Sequence, residues 1–272
     1  MKKALVALGL GLGLAMAAPA SATSLDGMDI KTTSVGSGEA IIFVHGWTCD
    51  ETFWEDQVEA LSEDYHVITL DLPGHGESDI PDADDFSMDL FAAAVEAARQ
   101  EAGADKVVLV GHSMGAVVIR EFALDYPDHV AGLVAVDGPI DVRSFANGSP
   151  FGSTQLDLEA RRGLVESMFV EGTTEDQREK VRAAMLGAPE VTAWGAMGAM
   201  FSPDVQSDTV ITMPTLSVIA GQSFLTADPA TRDLYPDWEA IQIPRTGHFL
   251  MMEKPEVFNA LLEDFVETRA VY

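Results

Sequence analysis

The chain has 272 residues, 47% of them apolar, with 16 Lys and Arg against 44 Asp and Glu, a net charge of −28. So acidic a surface repels nucleic-acid phosphates and anionic lipid headgroups, which excludes both as partners and disfavours strongly anionic substrates. Cys49 is the only cysteine, so stability has to come from an apolar core rather than an intramolecular disulfide.

In chain order, Lys2 and Lys3 precede an apolar run from Ala4 to Ala18, followed by Ala20-Ser21-Ala22. A basic start, a short apolar stretch and a small-x-small site make the pattern of a secretory signal peptide. The run is too short for a transmembrane helix and lacks stop-transfer charges. Residues 1–22 are therefore expected to be removed, leaving an exported chain, periplasmic or secreted, that is two charge units more negative.

Continuous apolar runs of strand length follow at Ile41–Val44, Val67–Leu70, Val107–Val110, Leu133–Val136 and Leu216–Ile219, with a further strand at Ala240–Ile243. Such runs suit parallel strands buried on both faces. Helical patterns accompany them at Phe53–Leu61, Ser87–Glu101, Met114–Tyr126 and Pro255–Val266. The alternation predicts an α/β domain with a mostly parallel central sheet flanked by helices. It breaks over residues 139–209, where Pro, Gly and Ser punctuate helical stretches at Leu156–Phe169, Thr174–Leu186 and Val191–Met200. That segment is far longer than one crossover needs. It is expected to be a helical cap over the carboxyl edge of the sheet, between core segments 23–138 and 210–272.

The strongest chemical signal is Gly111-His112-Ser113-Met114-Gly115, directly after a strand and directly before a helix. Gly-x-Ser-x-Gly in that context is a nucleophile elbow, a sharp turn that lifts the serine hydroxyl clear of the sheet. Serine is unreactive at neutral pH without a base. Of six histidines, His248 is the best placed, after the last strand and before the last helix. His112 and His75 sit in glycine turns and read as structural, and His66 and His129 as strand-start positions facing solvent. Charge developing on an attacked carbonyl oxygen needs preorganised N–H donors. The Met114 amide follows the nucleophile, and the Trp47 amide lies in the loop His45-Gly46-Trp47-Thr48. Cys49, next in that loop, reads as a packing or surface residue.

These pieces, with Asp71-Leu72-Pro73-Gly74-His75-Gly76-Glu77-Ser78 and Gly247-His248-Phe249, resemble the α/β-hydrolase superfamily, in order, from about Ile41 to Phe265. The resemblance implies an α/β-hydrolase fold and a cap-bearing serine hydrolase, with Asp71 a structural acceptor in a shared turn. The chain departs from the family in one place. The turn after the penultimate strand, where much of the superfamily keeps its acid, reads Gly221-Gln222-Ser223-Phe224. The other position that the superfamily uses is the end of the strand after the nucleophile helix, and there stands Asp137. Asp137 is the first choice for the acid, and Asp228 the alternative.

The expected activity is cleavage of a small apolar ester or similar uncharged acyl substrate by Ser113, His248 and Asp137, with no metal or organic cofactor. His45, Trp47, Met197 and Phe249 are expected against the substrate. Met168, Met185, Met200 and Trp194 in the cap, with Met251 and Met252, are either pocket lining or internal packing. Lyase, perhydrolase or carbon–carbon hydrolase chemistry can use the same triad. A small-molecule binding protein with a weakened site is the non-enzyme alternative, and Phe224 is its support. Oligomeric state is beyond the sequence.

Overall fold

The structure, a computed structural model, describes residues 21–145, 148–223 and 228–272. Most of the expected signal segment and Phe224 lie outside the described residues. Among the described residues, eight strands run β1 Ser21–Leu25, β2 Met28–Val35, β3 Ala40–Val44, β4 His66–Leu70, β5 Val107–His112, β6 Val130–Val136, β7 Thr215–Ala220 and β8 Trp238–Ile243. They form one sheet in the order β1-β2-β4-β3-β5-β6-β7-β8. The pairs from β4 through β8 are parallel. Every residue of β3, β5, β6 and β7 is buried, as their unbroken apolar sequences require of strands covered on both faces.

The helices are α1 Glu55–Leu61, α2 Met88–Glu101, α3 Met114–Asp125, α4 Leu158–Ser167, α5 Glu175–Gly187, α6 Glu190–Met200, α7 Leu250–Glu253 and α8 Pro255–Thr268. Helices α1 and α8 pack together, with Gln57 Nε2 donating to Asn259 Oδ1 at 2.9 Å, and α2 packs against α3. Between β6 and β7 come α4, α5 and α6. They are tied to the core by Trp47 Nε1 donating to the Ala193 carbonyl and Thr192 Oγ1 to that of Gly74, both 2.8 Å. Helix α4 begins later than the sequence pattern suggests because the Asp157 side chain accepts from the Ala160 amide, capping it at Leu158. Among the described residues no helix is long and apolar enough to cross a membrane.

The hairpin β1–β2 is an addition to the elements anticipated. It pairs antiparallel through β2 with β4. Its turn is Asp26-Gly27, both at positive φ, the chemistry that a two-residue hairpin turn demands. Cleavage after Ala22 would leave Thr23–Leu25 of β1 in register with Met28–Ile30. The Thr23 hydroxyl would keep its 3.1 Å bond to Thr32.

Candidate active site

The carboxyl ends of β3 and β5 are neighbours from which the chain leaves in opposite directions along the sheet. A crevice opens at such a point in an open α/β sheet. Strand β5 passes into α3 through Ser113 alone, at φ 53°, ψ −116°. A non-glycine residue in that region stores on the order of 1–3 kcal/mol of strain and persists only where its surroundings fix it. Here they do: the Ser113 amide donates to the Val136 carbonyl and the Ser113 carbonyl accepts from Ala116, each at 3.0 Å. The flanking glycines are steric necessities. A Cβ on Gly111 would lie 2.3 Å from the Gly115 carbonyl oxygen, and one on Gly115 would lie 2.4 Å from that of Val44. Met114 opens α3, so its N–H has no acceptor within the helix and is free for a ligand.

Asp137 follows β6 at the crevice, 4% exposed and itself at positive φ. One carboxylate oxygen accepts the Ala220 amide at 3.0 Å, and the other faces His248 Nδ1 at 2.7 Å. Burial pushes the carboxyl up. The hydrogen bond and charge of His248, the Ala220 amide and a hydrogen bond from Ser223 outweigh it and hold Asp137 below the usual carboxylate range. An ionised Asp137 can only accept, so Nδ1 of His248 carries a proton, and in the neutral imidazole the lone pair is then on Nε2. His248 is also held by its backbone. His248 N–H donates to the Met168 carbonyl at 3.2 Å, and its carbonyl accepts from His112 Nε2 at 2.9 Å. Burial and the neighbouring His248 push His112 down to about 3, so it stays neutral as a donor. Asp228, in contrast, is exposed and caps the short turn Pro229–Asp233 by accepting from Ala230 at 2.9 Å. The structure brings Asp137 to His248 and leaves Asp228 in that turn.

After β3, residues Gly46 to Cys49 make a turn closed by the Cys49 amide on the Gly46 carbonyl at 3.1 Å, with Thr48 at φ 55°. Trp47 lines the crevice beside Ser113. His45 does not, which corrects the expectation that it meets the substrate. Its ring is fully buried beneath the loop, with Nε2 accepting from the Leu72 amide at 3.0 Å and Nδ1 therefore donating to the Gly46 carbonyl at 2.8 Å. Its work is to hold the Gly46–Cys49 loop against the Asp71–Ser78 turn. Asp71 is the structural acceptor there, taking the amides of Glu51 and Glu77 at 2.7 and 2.8 Å.

A cavity of about 230 Å³ joins these parts, bordered by Ser113, His248, Trp47 and Phe249 from the core and by Met168, Met185, Met197 and Met200 from the cap. Of its lining residues Cys49, Trp47, Met185 and Met197 are each at most 4% exposed, whereas Phe151 and Gln222 are exposed. Burial pushes the Cys49 thiol up, which leaves it an apolar wall. Three of the apolar residues weighed as lining belong elsewhere. Trp194 points away to donate to the Leu156 carbonyl at 3.0 Å, and Met251 and Met252 are buried in the core. Among the described residues no Lys or Arg borders the cavity. Among the described residues Asp89, Glu121 and Asp125 are close enough to share a cation, but they lie on α2 and α3 and do not border this cavity.

Ser223 is the contact that the sequence conceals. It stands in the turn where the family's acid was sought, and its side chain hydrogen-bonds Asp137 instead. A hydroxyl one residue short of the expected position carries no signal by itself.

The alpha/beta hydrolase fold family matches residues 39–188, more than half of the chain. "Putative carbamate hydrolase RutD" of Shigella flexneri is 24% identical over 257 residues, covering 86% of this chain and 94% of that protein. The solved structure of Est816, described as an N-acyl homoserine lactone degrading enzyme, superposes with a TM-score of 0.75 at 28% identity, over 90% of this chain and 99% of its own. A thermophilic esterase from Thermogutta terrifontis gives the same TM-score at 24% identity, over 93% and 98%, and shares the fold. With the strained serine, the glycine-framed elbow and the sheet order in agreement, the chain belongs to the alpha/beta hydrolase fold family and is a hydrolase of that type.

Proposed function

We infer that this protein is an exported serine hydrolase that cleaves small, uncharged, apolar carboxylic esters through an acyl-enzyme. The observation that carries the reading is the convergence on one apolar cavity of Ser113, strained at the amino end of α3, with a His248 imidazole held 2.7 Å from a buried Asp137. Ser113 Oγ attacks the ester carbonyl while His248 Nε2 takes its proton. Asp137 steadies the imidazolium so formed, and the amides of Met114 and Trp47 meet the oxyanion. His248 returns the proton to the leaving alcohol. It then activates a water that attacks the acyl-Ser113 ester, releasing the acid and restoring the serine.

Substrate charge is set by what the cavity lacks. With no guanidinium or ammonium at its wall among the described residues, a buried substrate carboxylate would go unpaired, which costs several kcal/mol or more. Four methionines adapt to varied apolar groups, so selectivity among acyl chains is expected to be broad. A panel of p-nitrophenyl esters, lactones, carbamates, amides and β-diketones tests this. Lactones and carbamates belong in it because the names of Est816 and RutD describe such substrates. Uncharged short and medium acyl esters are expected to turn over at least about tenfold faster than carboxylate-bearing analogues. Preference for charged or polymeric substrates would sink the reading. Dominant turnover of β-diketones would move it to carbon–carbon hydrolysis.

Export is tested by sequencing the amino terminus of protein recovered outside the cytoplasm, which is expected to begin at Thr23. Recovery of only the uncleaved chain from the cytoplasm overturns it.

A further inference from the structure

The segment joining α4 to α5 lies directly on the loop that carries His248. Met168 is the link at one end: its side chain borders the cavity while its carbonyl accepts the His248 amide. At the other end is Glu253, the last residue of α7, which uses both carboxylate oxygens. One accepts the amide of Gly247, the residue before the base, at 2.6 Å. The other accepts the hydroxyl of Thr173, a buried cap residue, also at 2.6 Å. The Thr173 oxygen in turn accepts the Val170 amide at 3.0 Å, closing the Val170–Thr173 turn. The fit leaves no slack, since a Cβ on Gly247 would lie 2.6 Å from the Met168 carbonyl oxygen and 3.0 Å from Glu253. Nearby, Gln177 Nε2 donates to the Met252 carbonyl at 2.6 Å, so the start of α5 is tied to the same short helix.

We propose that Glu253 is a positioning residue that, with Thr173, locks the His248 loop to the cap, so that the base is aligned only while the cap is seated. Charge-assisted hydrogen bonds with two donors are among the strong ones available to a side chain. Both donors here are on segments whose placement decides the reaction: Gly247 carries the chain into the base, and the Thr173 turn carries it back to Met168 at the cavity wall. A substrate that fills the cavity presses on Met168 and hence on the element that holds the His248 amide. The cap then serves alignment as well as enclosure, and a misplacement of about 1 Å in such a base is enough to cost orders of magnitude in rate. The proposal rests on the serine-hydrolase reading of the same site.

The test uses the full chain and a short-chain p-nitrophenyl ester, with active sites counted by a fluorophosphonate label. Ser113→Ala is run first, and its loss of turnover establishes the parent reading. Glu253→Met keeps the length of the side chain but accepts from neither donor. It is expected to lower kcat per titrated site about tenfold, the worth of one hydrogen bond to a charged group, with KM within twofold. Glu253→Gln is expected to recover most of the rate, because its carbonyl can take the Gly247 amide and its NH2 can donate to Thr173. Thr173→Val is expected to cost about threefold in kcat, and nothing further when combined with Glu253→Met, whereas Thr173→Ser stays near wild type. A purely structural role would reduce the number of titrated sites or the Tm and leave kcat per site unchanged. Unchanged kcat per site in Glu253→Met, or a loss as large in Glu253→Gln, overturns the proposal while leaving the parent reading intact. Retained turnover in Ser113→Ala overturns both.

Discussion

Ser113→Ala is expected to abolish ester turnover while leaving the fold and its thermal stability nearly unchanged. Removing the nucleophile of a serine hydrolase that works by a triad costs about 10⁶ in kcat in the subtilisin template, and a loss of at least about 10⁴ is expected here. The stability half follows from the geometry. The strained φ of Ser113 is imposed by the amide and carbonyl bonds to Val136 and Ala116 and by the two glycine contacts, none of which involves the hydroxyl. Alanine tolerates that backbone at much the same cost as serine. Far-UV and near-UV circular dichroism with the melting temperature check the fold, and p-nitrophenyl acetate checks the rate. Near wild-type turnover in a folded variant would mean that the nucleophile is not Ser113.

Much of the fold was legible because the central strands are buried on both faces, so their apolar runs are unbroken and bounded by glycine turns. The edge was less so. Strand β2 reads Met-Asp-Ile-Lys-Thr-Thr-Ser-Val and buries only one side. Strand β1 starts at Ser21, inside the stretch whose small residues also read as a cleavage site. The Asp26-Gly27 turn was the available signal for that hairpin. The elbow was legible because each of its residues is required sterically in a short contiguous span. The cavity was not, because it is assembled from side chains that only the packing of the cap sorts. Met197 and Met185 border the cavity with Ser113, while Trp194, three residues before Met197 on α6, donates to the Leu156 carbonyl instead. His45 misleads for a similar reason: a histidine beside the Gly46–Cys49 loop reads as a substrate contact until its two hydrogen bonds are seen to be spent on the backbone.

Asp137→Asn is expected to lower kcat by up to about 10⁴, the loss in the serine-protease template when the orienting aspartate becomes asparagine. The hydrogen bonds give the reason. In the native site one Asp137 oxygen takes the Ala220 amide and the other faces His248 Nδ1. Asparagine has one acceptor oxygen for these two positions. If the oxygen stays on His248, the NH2 confronts the Ala220 N–H, donor against donor, in a buried place where an unpaired amide costs about 1–3 kcal/mol. If the oxygen turns to Ala220, the NH2 points at Nδ1, which must then give up its proton and leave Nε2 protonated. That tautomer cannot take the proton of Ser113. The second arrangement satisfies the backbone, so the fold is kept and the rate is lost. Asp228→Asn is expected to change kcat by less than twofold, because Asp228 only caps an exposed turn through Ala230 and asparagine caps as well as aspartate. Steady-state kinetics of both variants decide the matter. The reverse ranking would return the acid to the loop after β7. Equal and small losses would mean that His248 needs no fixed carboxylate, and the tight coupling of Asp137 to Ala220, Ser223 and His248 would then be a device for holding the ends of β6, β7 and β8 together rather than for catalysis.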